Sequence, residues 1–210
     1  MPPATDTRTR FLDAALRVLR QKGYAAARVD DLCAATGLSK GAFFHHFPSK
    51  EALALAAADH FHASAEAVFA GLDHEHADPR DWLLAYVDLR ISLLDGDLPD
   101  VTCLLGTVVQ ETYETHPGLS AGAGAHIEAH AASIAGVARA AKAQHAPDAP
   151  WDPDGLGRHV QAVVQGAFVL AKASGSLEVA VESLLHLRRY LELPLTASPA
   201  DAVCPPPPTP

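Results

Sequence analysis

The chain holds 41 alanines against 3 isoleucines and 15 valines, and that imbalance limits its fold before any motif is considered. Alanine is the strongest helix former, while the β-branched residues that suit a pleated surface are scarce. A large sheet is not expected; helices are. Of the 210 residues, 49% are apolar and 20% charged, enough to bury a core in one large domain or two small ones. No apolar run reaches the ~18 residues that a membrane span needs. Asp13 and Arg17 interrupt the one stretch that resembles a signal peptide. Cys33, Cys103 and Cys204 are widely separated and odd in number, which points to neither a disulfide framework nor a CxxC metal site. A cytoplasmic protein without a membrane partner is the expectation.

The formal net charge of −9, taken alone, argues against a polyanionic partner. Its distribution argues otherwise. Residues 1–51 carry eight basic and five acidic side chains, a balance of +3, while the remaining 159 carry 8 and 20, a balance of −12. A small polyanion-binding head on an acidic body has this asymmetry.

Apolar spacing predicts helices over residues 7–22, closed by Gly23, and over 29–36 and 40–47, with Ser39 capping the last and Pro48 ending it. A long alanine-rich helix follows Ser49 to about Gly71, and further helices are expected over 81–94, 101–115, 120–145, 156–173 and 177–191. From Pro194 onward 7 of 17 residues are proline, which marks an extended, solvated tail.

Residues 29–47 have the form of a helix-turn-helix. Leu32, Cys33 and Ala35 pack the first helix, Gly37 supplies the positive φ of a tight turn, and Leu38 plugs the angle between the helices. The second helix buries Phe43 and Phe47 and turns Lys40, Ala42, His45 and His46 outward. A helix of this size enters a major groove with its N-terminal residues at the base edges.

Gly23-Tyr24, Gly37-Leu38-Ser39-Lys40-Gly41, His46-Phe47 and Lys50-Glu51-Ala52-Leu53 together resemble the signature of the TetR family of bacterial transcriptional regulators. The likeness covers roughly residues 7–55. It implies an all-α fold: an N-terminal three-helix helix-turn-helix DNA-binding domain, residues 1–50, plus a C-terminal helical ligand-binding and dimerisation domain, residues 51–193, with the tail beyond. It also implies a ligand-responsive regulator, most simply a repressor, that binds a palindromic operator in double-stranded DNA as a homodimer. Arg28, Ser39, Lys40, Gly41, Ala42, Phe44, His45, His46 and Lys50 are the candidate DNA-contacting residues, with Arg8 and Arg10 following the backbone from the N-terminal arm. Two positions depart from the family pattern. Arg28 precedes the first helix of the motif where a capping Ser or Thr is usual, and Phe44 stands in place of a Tyr whose hydroxyl reaches a phosphate.

The resemblance also implies a small-molecule effector among the middle helices. Cys103, Thr107, Gln110 and Glu111 lie on one helical face or its flank, Gly106 leaves room beside them, and Phe61, Trp82, Tyr86 and Phe168 are candidate apolar walls. The acidic body favours a neutral or cationic effector, lipophilic or aromatic in character. No cofactor is expected.

Three features admit another reading. Gly118-Leu119-Ser120-Ala121-Gly122 matches a nucleophile elbow, but no strand delivers it, and Ser120 is expected to cap a helix. His126 and His130 lie one helical turn apart, the spacing of two metal ligands, with Glu111 or His159 as a possible third. His74, Glu75 and His76 form a solvated helix end. The rival reading, a helical enzyme or metal-binding protein that keeps a vestigial head, lacks a convergent acid, base and nucleophile in the sequence. The last two helices carry more apolar surface than one core needs, from Val160 to Leu170 and from Val181 to Leu187. Gly157, Gly166, Ala167 and Ala171 there suit close approach of helices from a second copy.

Overall fold

The computed structural model describes residues 6–193 and 195, so the proline-rich tail and Cys204 lie outside the described residues. Among these the chain is helical without a strand. Its elements are α1 (Thr7–Ala26), α2 (Val29–Thr36), α3 (Lys40–His46), α4 (Lys50–Glu75), α5 (Pro79–Ser92), α6 (Leu98–Val101), α7 (Leu104–Thr112), α8 (Pro117–His145), α9 (Pro153–Ser174) and α10 (Glu178–Glu192).

The starts and stops follow local chemistry. Gly23 takes φ 79° inside α1, so the regular helix closes there, as expected, and residues 24–26 form a further turn. Ser39 Oγ accepts the Ala42 N–H at 3.2 Å, and Ser49 Oγ accepts the Ala52 N–H at 3.0 Å; these caps begin α3 and α4. Three helices begin earlier than apolar periodicity predicts, because Pro79, Pro117 and Pro153 occupy first-turn positions. Proline's missing N–H costs nothing in a first turn, and its fixed φ suits one. Ser120 is therefore not the cap of α8: its own N–H already bonds the His116 carbonyl at 3.0 Å. The helix expected over 101–115 is confined to α7: Val101 ends the short α6, and Thr102 and Cys103 after it are both extended.

The chain forms two compact units. One comprises residues up to Val68 with Asp95–Glu128, so the unit holding the helix-turn-helix extends well beyond residue 50; the other comprises Phe69–Leu94 and the chain from Ala129. In the first, Phe11, Leu19, Leu32, Phe43, Leu53, Leu104 and Leu119 are all within 1% of full burial and form one core, each contributing about 1.5–3 kcal/mol. Here α1 packs on α2, α3, α6 and α7. In the second, α10 packs on α9 and α5, burying Tyr86, Val87, Val160, Phe168, Leu184 and Leu191. Gly157 belongs to this interior contact: a Cβ there would collide with the Ala131 carbonyl oxygen of α8. Ala167 and Ala171 are likewise buried within the unit. Gly166 alone of the four small residues is open, with nothing within 4 Å of where its Cβ would stand.

Candidate nucleic-acid interface

The helix-turn-helix is held from one side only. Gly37 adopts φ 69° and ψ 17°, a left-handed conformation that favours glycine, while the space around it is open. Leu38 packs half-buried against the core. Phe43 and Phe47 insert beneath α3 and meet Phe11 edge-on, with ring centroids 5.5 and 6.3 Å apart. These aromatic contacts fix the rotation of α3 and leave its opposite face to solvent.

That face carries most of the expected residues. Ser39, Lys40, Gly41, Phe44 and His45 are exposed, and His46 is half-buried. Phe44 leaves 55% of its surface to solvent. Ala42 leans toward the core and presents less than the sequence implied. Lys40 Nζ donates to Asp30 Oδ1 at 2.7 Å, a bond that holds the ammonium above the usual lysine range. Arg10 Nη2 donates to the Thr36 carbonyl at 2.6 Å and Arg8 lies over the Phe47 ring; both arginines belong to α1 rather than to an arm and are docked on the head.

Two residues do something the motif does not announce. Arg28 is exposed and provides no side-chain cap. Asp31, three residues on, accepts the Arg28 N–H at 2.9 Å, the reciprocal half of a capping box, which stands here without the half an N-cap side chain would give. The Lys22 ammonium, 2.7 Å away, and that N–H hold the Asp31 carboxyl below the ordinary carboxylate range. An acidic residue at the third helical position was the signal available in the sequence. Lys50 turns inward: its Nζ donates to the carbonyls of Tyr24, Ala27 and Ala25 at 2.8, 3.0 and 3.4 Å and lies 4.3 Å from the Tyr24 ring centre. Any reach to a phosphate competes with these bonds.

The eight residues singled out for an effector fall in both units. In the first, Cys103 and Thr107 are half-buried, with Thr107 Oγ1 donating to the Cys103 carbonyl at 3.0 Å. Phe61 lies beneath the Arg20 guanidinium, 5.0 Å from its ring centre. Gln110 is exposed, and Glu111 is engaged with the end of α1, accepting the N–H groups of Tyr24 and Ala25. In the second, Trp82, Tyr86 and Phe168 are buried, and Trp82 stacks on Tyr86 at 5.6 Å. Two cations in these surroundings escaped the sequence reading. Arg20, its pKa lowered by burial, donates to the Pro99 and Asp100 carbonyls at 3.0 and 2.7 Å. Arg90 Nε donates to the Tyr86 hydroxyl at 2.9 Å and its guanidinium covers the Phe69 ring. Neither stands in an apolar pattern that periodicity picks out.

The histidine pair of α8 has other partners. His126 Nε2 pairs with Asp59 at 2.8 Å and its ring stacks on His62, whereas His130 Nε2 pairs with the Tyr86 hydroxyl at 2.9 Å. Among the described residues no three His, Cys, Asp or Glu side chains are grouped to hold a metal ion. Nor is any of the described helices long and apolar enough to cross a membrane.

Residues 11–57 match the family model described as bacterial regulatory proteins, tetR family. The head is similar to that of the HTH-type transcriptional regulator CymR of Pseudomonas putida, 51% identical over 53 residues, which is 25% of this chain and 26% of that protein. It is also similar to the HTH-type transcriptional repressor AcnR of Corynebacterium glutamicum, 48% identical over 54 residues, 26% and 29% of the two chains. The match thus spans only about a quarter of these relatives' length. A TetR transcriptional regulator from Chloroflexus aurantiacus is similar over 89% of this chain and 94% of its own, with a TM-score of 0.77 and 29% identity. E. coli NemR in its reduced form shares the fold at a TM-score of 0.75 and 22% identity, over 88% of this chain and 96% of its own.

Proposed function

The chain belongs to the TetR family of bacterial regulatory proteins, and from that premise we propose that it is a transcriptional repressor that binds a palindromic operator as a homodimer and is released by a small-molecule effector. The observation that carries DNA binding is α3, anchored through Phe43 and Phe47 and presenting Lys40, Phe44 and His45 to solvent. A helix pinned from one side with a basic and aromatic outer face suits a major groove.

Dimerisation is supported by apolar surface left uncovered on the last two helices. Val169 and Leu170 of α9 are 46% and 52% exposed, and Leu185 and Tyr190 of α10 are 40% and 46% exposed. With the open Gly166 beside them, these residues favour an isologous interface in which paired helices of two copies form a bundle.

An effector shifts DNA affinity only by binding one arrangement of the heads better than the other. Within the second unit, the aromatic residues Trp82, Tyr86 and Phe168 favour a lipophilic or aromatic ligand. Arg90, beside Tyr86, extends the expectation to ligands that also bear an acceptor or an anionic group; in the first unit Phe61 and Arg20 make a similar pair.

The test is selection of bound sequences from a random DNA library, followed by titration of the selected duplex at increasing salt. Two basic heads should enrich a palindrome and lose about 10³-fold in affinity between 50 and 200 mM salt. Failure to enrich any sequence, at salt concentrations where the protein is folded, overturns the reading.

A further inference from the structure

The segment from Gly23 to Ala27 joins α1 to α2, and it is gripped from two sides within the same compact unit. On one side Glu111 of α7 accepts two consecutive backbone N–H groups, Tyr24 at 2.5 Å and Ala25 at 2.9 Å, one on each carboxylate oxygen. On the other, Lys50 of α4 donates to the carbonyls of Tyr24, Ala25 and Ala27. One peptide group carries both contacts. The carbonyl of Tyr24 faces the Lys50 ammonium at 2.8 Å while the N–H of the same peptide, on Ala25, faces Glu111 at 2.9 Å.

A peptide placed between an ammonium and a carboxylate is polarised by both, so each bond strengthens the other. The glycine before it is part of the fit. Gly23 adopts φ 79°, and a Cβ there would lie 2.6 Å from Glu111 Oε2. The His116 ring closes on Tyr24 edge-on at 4.8 Å, so the C-terminal end of α7 and the turn after it enclose the segment.

We propose that Glu111 is a positioning residue for DNA recognition: by holding the Tyr24 and Ala25 N–H groups against the pull of Lys50, it fixes the segment that leads into α2 and so seats the helix pair that reads DNA. The proposal rests on the DNA-binding reading above. It assigns Glu111 to the head, where the sequence pattern had made it a candidate for an effector. It also makes α7, which carries Cys103 and Thr107 at its start, a direct mechanical link to the head: a shift of α7 by a fraction of a hydrogen-bond length moves or releases the clamp.

The experiment compares wild type, Glu111→Gln and Glu111→Ala on the duplex selected by wild-type protein. Each variant is first checked by circular dichroism and by its melting temperature. Glu111→Ala should lose about tenfold in affinity and Glu111→Gln less, because one neutral acceptor oxygen remains. Amide exchange at Tyr24 and Ala25 should quicken in the order wild type, Gln, Ala, a local signature that general destabilisation does not produce. A double variant separates the clamp from a loss of fold. Gly23→Ala should weaken DNA binding more in wild type than in Glu111→Ala, where the carboxylate it strikes is gone. If wild type binds its selected duplex and both Glu111 variants bind it equally well while their Tyr24 and Ala25 amides exchange at the wild-type rate, the clamp is overturned and the DNA-binding reading stands. If wild type selects no sequence, the reading beneath the clamp fails first.

Discussion

Lys40 and Asp30 form an ion pair, which DNA would have to open for Lys40 to reach it. Both side chains are more than half exposed, so the pair contributes little to stability, yet it occupies the ammonium that would meet a phosphate or a base. Asp30 also sets a negative charge against the incoming backbone. Asp30→Asn should therefore tighten binding by roughly three- to tenfold at low salt and steepen the dependence on salt, since one more cation per head displaces counterions. Fluorescence anisotropy on the selected duplex at several salt concentrations checks this; unchanged affinity would mean that Lys40 stays away from DNA. At this scale the sequence was most informative where a role depends on neighbours in the chain. Gly37, Ser39, Phe43 and Phe47 serve as expected because turn, cap and anchor are settled within a few residues. Lys50 and Glu111, candidates for a phosphate and for an effector, also bond within the fold, which the sequence could not show because these partners lie 23–26 and 86–87 residues away.

Helix boundaries at the element scale turn on proline and aspartate together. Asp78 precedes Pro79, and Asp152 precedes Pro153; each aspartate caps its helix by accepting first-turn N–H groups, Arg80 at 2.8 Å for Asp78 and Gly155 at 2.7 Å for Asp152. Apolar spacing alone starts these helices at residues 81 and 156, after the Asp-Pro pairs that mark their starts. Asp78 does more than cap. His145 donates to it from the end of α8 at 2.8 Å, and that bond, with the Arg80 N–H, holds its carboxyl below the ordinary range. A carboxyl depressed in the folded state stabilises the fold above its ordinary pKa and ceases to do so as pH falls through the depressed value. Asp78→Ala should thus lower the melting temperature at neutral pH, and the gap from wild type should close as pH falls through about 4 and below. Thermal melts from pH 7 to pH 3 measure it; a gap that persists undiminished into acid would exclude the ionised cap.

For the whole molecule, the decisive question is what covers α9 and α10. A single copy leaves Val169, Leu170 and Leu185 between 40% and 52% exposed, a cost that a second copy seated on them would remove. Leu170→Glu should leave the helical content unchanged, since its own unit does not bury this side chain, but yield a monomer by light scattering at micromolar concentration. The monomer should also bind a single half-site far more weakly than the dimer binds the full palindrome. A dimer of wild-type stability in Leu170→Glu would place the interface elsewhere.

The sequence alone determined that the chain is helical, where its N-terminal motif lies and which aromatic residues anchor it, because alanine content, turn glycines and apolar spacing act over one or two turns. Tertiary structure decided which small residues serve the interior and which the surface: Gly157 and Gly166 stand on one helix, and only the approach of α8 distinguishes them. It also decided where the charged side chains of Lys50 and Glu111 go, since a peptide group that two distant helices reach from opposite sides exists only once those helices have packed.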